Sequence, residues 1–164
     1  MNFLLWLEQS SPSVWVRETD ALLGLPGMLY LHTIGMGMLV GASLVIGLRI
    51  MGVASSLPLA PFARFRVVIG FGVWLNVISG LALLLGYPTK ALTNPMFYLK
   101  ISAIIVAGLA WRAAMRPLFS TDPPAVVTTR LRRIVLLSVC SWFVAVLCGR
   151  LLAYTYSHLL AGSP

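Results

Sequence analysis

The chain has 164 residues, of which 59% are hydrophobic and only 10% charged, and its mean hydropathy is +0.93. A soluble domain carries about 25% charged residues, so this composition excludes an ordinary water-soluble fold. The net charge of +8 is not a nucleic-acid signature, because the arginines carry no interleaved aromatics and follow no recognised nucleic-acid-binding pattern.

Residues 1–25 come first. Phe3, Leu4, Trp6 and Leu7 share one face of a short helix, and Val14, Trp15 and Val16 anchor a second piece. No basic region precedes the short apolar run and Glu8 interrupts it, which argues against a signal peptide. The expectation is an interfacial segment that closes one end of the protein, with tryptophan at the headgroup level.

Four apolar runs follow, at about 26–48, 67–87, 96–115 and 134–157, each near the roughly 20 residues that cross a bilayer. Hydrocarbon satisfies no backbone amide, so only helices or closed barrels can span it. These runs are continuously apolar rather than alternating, which selects helices. The connections are short and rich in proline, and they predict an up-down-up-down order. The fold class expected is therefore all-α: a four-helix transmembrane bundle with a short N-terminal interfacial helix, in one domain covering 1–164. Thr128 or Thr129 is the expected cap of the last helix.

Charge sets the expected orientation. Arg49, Arg64 and Arg66 flank the first connection, and Arg112, Arg116, Arg130, Arg132 and Arg133 flank the third. The opposite side holds Arg17, Lys90, Lys100 and Arg150, together with Glu8, Glu18 and Asp20. The positive-inside rule then puts both termini outside, on the periplasmic side of a bacterial inner membrane.

Small residues forecast which faces meet. Gly37 and Gly41 form a GxxxG on the first span, while Gly72, Asn76 and Gly80 recur every fourth residue on the second, with Ser79 beside them. Such stripes permit close helix approach, and Asn76 is expected to hydrogen-bond across an interface. Cys140 and Cys148 lie two turns apart on one helix, too far apart to bridge. They read as small packing residues.

The ionisable groups at membrane depth carry the functional question. Counting about 1.5 Å per residue from the basic helix ends places His32, Arg150 and Lys100 at one level, each about 24–25 Å away. Tyr154 follows Arg150 by one turn. His158 falls about 12 Å farther out than His32, which disfavours a haem held by both histidines. A haem b with His32 as its only histidine ligand, or a quinone headgroup bound by His32, Arg150 and Tyr154, suits the set better. Lys100 and Gly35 complete the cofactor-binding candidates. Met28, His32 and Met36 share one helical face, and thioethers with imidazole suit copper(I). The plainest alternative for His32 is an interhelical hydrogen bond to a serine or tyrosine, and for Lys100 it is snorkelling to headgroups.

No HExxH, GxSxG or Walker loop occurs, and no acid lies within a span. An enzyme is therefore not expected. The segments "FLLWLEQS", "VWVRET", "LHTIGMGMLVGASLVIGLRIMG", "LTNPMFYLKI" and "GRLLAYT" resemble a family of small four-span bacterial inner-membrane proteins of uncharacterised function, over nearly the whole chain. Members often carry an acid before the histidine of the first span and an Asp before "LR", whereas here Met28–Leu31 and Gly47 contain none. The architecture is more distantly similar to four-helix b-type cytochrome anchors. The expected role is an accessory or anchor subunit of a membrane redox assembly. Its partners would be the lipid bilayer and either other subunits or further copies of itself. A purely structural subunit and a copper-handling protein are the alternatives.

Overall fold

The structure, a computed structural model, describes residues 2–20, 24–119 and 127–161, with the backbone alone at 2, 119 and 156–161. The described residues form helices α1 (Asn2–Glu8), α2 (Ser11–Glu18) and α3 (Leu25–Met51), then a 3-10 turn (Ala60–Arg64) that runs into α4 (Phe65–Gly86). The short α5 (Pro88–Leu92) leads to α6 (Pro95–Phe119), and α7 (Thr129–Ala161) completes the chain. Four segments are long and apolar enough to cross a membrane: Leu25–Met51, Ala60–Gly86, Pro95–Leu118 and Thr129–Thr155. They coincide with the four expected runs, lengthened at most ends by the helical turns that carry the basic residues. The protein is an all-α, multi-pass membrane bundle. Its outer surface fits that setting, since Val67, Trp74, Leu109 and Leu147 are each at least 60% exposed and need lipid rather than water around them.

Local chemistry sets the helix ends. Gly52 ends α3 with φ +111 while its N–H reaches back to the Arg49 and Leu48 carbonyls, a left-handed cap that glycine adopts without strain. Asn94 Oδ1 accepts from the Met96 N–H at 2.9 Å at the start of α6. Its amide also donates to Thr155 Oγ1 on α7 at 2.8 Å. Thr128 is the cap of α7, its Oγ1 accepting from the Leu131 N–H at 3.2 Å. The last carbonyls of α4, which have no partner within the helix, are met by α2. The fully buried Ser13 donates to Leu85 O at 2.7 Å, and Arg17 donates to Gly86 O at 3.1 Å. Arg17 also pairs with Glu8 at 3.9 Å, so the N-terminal segment is tied onto the end of α4.

The four long helices are arranged as two pairs. α3 packs along α4 and α6 along α7, α3 meets α7 in a smaller seam, and α4 makes no comparable interface with α6. The spatial order is α4, α3, α7, α6. Ile46, Ile50, Ala107, Ala114 and Val135 are almost wholly excluded at its centre. Ser138 donates to the Ala107 carbonyl at 2.9 Å and joins α7 to α6.

The closest approach joins α3 to α4. A Cβ added at Gly72 would sit 2.9 Å from both the Gly35 carbonyl oxygen and the Leu39 nitrogen, and one at Gly35 would strike the Asn76 side chain. Two expectations are corrected here. Gly37 and Gly41 face open space, because α3 turns Gly35, Leu39, Ala42 and Ile46 inward and Gly37 stands two residues, about 200°, from Gly35. The Asn76 side chain turns back from the interface, its amide donating at 2.9 Å to Gly72 O of its own helix, and it is the Asn76 backbone that bonds across, to His32.

Gly72→Ala must push against backbone, and we expect it to lower stability by about 1–3 kcal/mol. Gly37→Ala should change it by less than about 1 kcal/mol and in the stabilising direction. Denaturation midpoints of the two variants in detergent micelles check this, and equal midpoints would contradict the packing at Gly72.

Candidate functional site

His32 projects from α3 against α4 at a point where α4 has no side chain. A Cβ at Gly80 would lie 3.3 Å from His32 Cε1, so the glycine is what admits the ring. His32 Nδ1 lies 3.0 Å from Ser79 Oγ. Ser79 in turn donates to the Leu75 carbonyl at 2.6 Å. A serine hydroxyl has one proton, and the Leu75 carbonyl takes it. Ser79 Oγ must therefore accept, and His32 Nδ1 carries the hydrogen. In the neutral ring that leaves the lone pair on Nε2. The expected bond from His32 to a serine is thus present, and the Asn76 backbone carbonyl is a second hydrogen-bond partner of the ring.

Lys100, on α6, is half-buried and extends across to α7, where its Nζ would lie 3.6 Å from a Cβ at Gly149. The lysine lies against Gly149 at ordinary van der Waals distance, a looser fit than that of the histidine against Gly80. Lys100 and His32 lie within Coulombic reach of one another. Each of the four long helices contributes: His32 from α3, Ser79 and Gly80 from α4, Lys100 from α6, and Gly149 from α7. No carboxylate pairs with His32 or Lys100 among the described residues. Glu8, Glu18 and Asp20 belong to the N-terminal segment, and Asp122 lies outside the described residues.

The other candidates are placed differently. Arg150 and Tyr154 are exposed. α7 turns Cys148 inward and carries Arg150 away from it, so Arg150 and, one turn on, Tyr154 stand on the outer surface. Gly35 is buried beneath Asn76 and closes the α3–α4 contact. Met28 and Met36 are half-buried, one turn on either side of His32. Among the described residues no three His, Cys, Asp or Glu side chains form a metal-holding group. The His158 side chain lies outside the described residues. Sequence reasoning missed the part played by Gly149, whose only signal is its adjacency to Arg150.

No protein-family model, curated protein or solved structure matches the chain.

In a His158→Gln background, which leaves one histidine, the side-chain 15N spectrum should show a single Nδ1–H tautomer. Adding Ser79→Ala should give a mixture of tautomers and cost about 1 kcal/mol of stability. An unchanged spectrum would mean that Ser79 does not orient the ring.

Proposed function

We propose that this protein is a non-catalytic accessory or anchor subunit of a redox assembly in a bacterial inner membrane, with both termini periplasmic, and that it holds a quinone headgroup between His32 and Lys100. One observation carries this reading. His32, whose neutral ring keeps its lone pair on Nε2 when Nδ1 bonds Ser79, lies within electrostatic reach of the Lys100 ammonium in a bundle whose spans contain no acid. The lysine can donate to a quinone carbonyl, and Nε2 can accept from the hydroxyl of the reduced form, so the same two groups serve both oxidation states. The quinone itself supplies the two-electron, two-proton chemistry. The protein's part is to position the ring and to exclude water.

Haem b is the second reading, and the Ser79 bond favours it specifically. An imidazole that donates from Nδ1 and presents Nε2 is oriented as an axial ligand needs to be. Lys100 is then the partner for a propionate. Arg150 and Tyr154, being exposed, suit contacts with a neighbouring subunit better than contacts with either cofactor.

Protein purified in mild detergent should retain quinone on solvent extraction, and His32→Gln and Lys100→Gln should each retain about tenfold less, as expected for one lost hydrogen bond of about 1.5 kcal/mol. A reduced-minus-oxidised spectrum with a b-type α-band that is lost in His32→Gln would establish haem in place of quinone. Wild-type protein free of quinone, iron and copper would sink the cofactor reading and leave a structural subunit.

A further inference from the structure

The end of the bundle opposite His32 contains a second site, one that the redox reading does not use. There the first turn of α4 approaches the last turns of α6, and Arg66, Arg112, Met115 and Arg116 line a cleft of about 250 Å³. Arg112 and Arg116 stand one turn apart on α6 and both are exposed. Like charges at that spacing repel, and an anion between them would remove the repulsion. Arg66 donates from Nε to the Ala63 carbonyl at 3.3 Å, which directs its side chain along the 3-10 turn. Arg49, at the same end, is committed to the Leu57 and Ser55 carbonyls at 2.7 and 2.8 Å. The described acids, Glu8, Glu18 and Asp20, are all in the N-terminal segment at the other end.

The surface running inward from these arginines is apolar on both helices. On α6 the face that carries Arg112 and Arg116 continues through Leu109, Ile105 and Ile101, all exposed. On α4 the face that carries Arg66 continues through Val73 and Val77, also exposed. Open space lies beside Gly70 and Gly108, on the same two faces. α4 and α6 do not close on one another there. Three guanidiniums above two exposed apolar faces match one class of molecule: a phosphate attached to hydrocarbon chains. Guanidinium binds phosphate oxygens in a bidentate fork, and only hydrocarbon chains would also gain from the faces below.

We propose that the Arg66–Arg112–Arg116 cleft holds the phosphate of an anionic phospholipid from the leaflet at the basic end of the bundle, with its acyl chains lying along α4 and α6. The test compares the binding of phosphatidylglycerol, phosphatidylcholine and inorganic phosphate to detergent-solubilised full-length protein, by native mass spectrometry for the lipids and by calorimetry for phosphate. The cleft variant Arg66→Gln/Arg112→Gln/Arg116→Gln is set against Arg130→Gln/Arg132→Gln/Arg133→Gln, which removes the same charge from the exposed start of α7. Wild type and the α7 variant should bind phosphatidylglycerol alike, and the cleft variant at least about tenfold more weakly. Arg112→Gln alone should show a smaller loss in the same direction and serves if the triple variant does not fold. Equal losses in the two triple variants would overturn the proposal in favour of diffuse attraction. So would phosphatidylcholine binding as tightly as phosphatidylglycerol. Inorganic phosphate binding as tightly as the lipid would also overturn it, by showing a free-anion site.

Discussion

Everything at the His32 end of the bundle depends on how closely α3 can lie against α4. Between helices surrounded by lipid the hydrophobic effect supplies no attraction, so packing and polar contacts have to hold them together. Gly72 meets that requirement by having no Cβ where the Gly35 carbonyl and the Leu39 nitrogen come within 2.9 Å. Two turns farther along the same face, Gly80 gives up a side chain in the same way, and the space is filled by the imidazole of His32. The position of the histidine is thus a consequence of helix packing. Filling Gly72 would move the ring away from Ser79 even though neither residue had changed.

The second pair is built on different chemistry. Ala107 and Ala114 are fully excluded, the Ser138 hydroxyl reaches the Ala107 carbonyl, and the stem of Lys100 lies against Gly149. Between the pairs the packing is looser. Val40, Leu44, Val139, Trp142 and Phe143 border an apolar crevice too narrow to admit water, and Trp142 Nε1 is buried without a hydrogen-bond partner, which costs about 1–3 kcal/mol. Gly47 stands against Val139 and Val135 and is the tightest glycine contact across this seam. The site sits across the weaker junction, with His32 on one pair and Lys100 on the other. A ligand bridging them would add to the connection between the pairs.

Depth was legible in the sequence and azimuth was not. Counting residues from the arginines placed His32 and Lys100 at one level, and in the fold the two lie within electrostatic reach of one another. The same count placed Arg150 at that level too, yet its side chain is exposed. A residue's depth needs only the rise per residue and one fixed end. Its direction needs the face that packs, and in a span whose lipid side and core side are both apolar, hydrophobicity barely marks that face. Small residues are the remaining signal, and they were ambiguous on α3, where Gly35, Gly37, Gly41 and Gly47 offer competing stripes. The regular Gly72–Asn76–Gly80 series on α4 had no such competitor, and it forms the contact. The Thr128 cap was readable because capping is local. Asn94 has the same local signal ahead of α6, but its second bond, to Thr155, depends on how α7 lies.

Charge binds these features together. The bundle carries its acids outside the spans and its arginines mostly at one end, so Lys100 has no counter-charge among the described residues in the part of the membrane where a counter-charge matters most. A lysine near a headgroup would not need one. Lys100 does not simply run outward, because its amino group lies beside Gly149 on the neighbouring helix. The cost of keeping a cation there falls when a lone pair or an electron-rich oxygen is placed opposite it, and the Ser79 bond arranges His32 to leave its lone pair on Nε2. Ser79 therefore fixes which nitrogen of the histidine carries the lone pair. Without the hydroxyl the ring can place its hydrogen on either nitrogen, and the field of the nearby cation then acts on both forms.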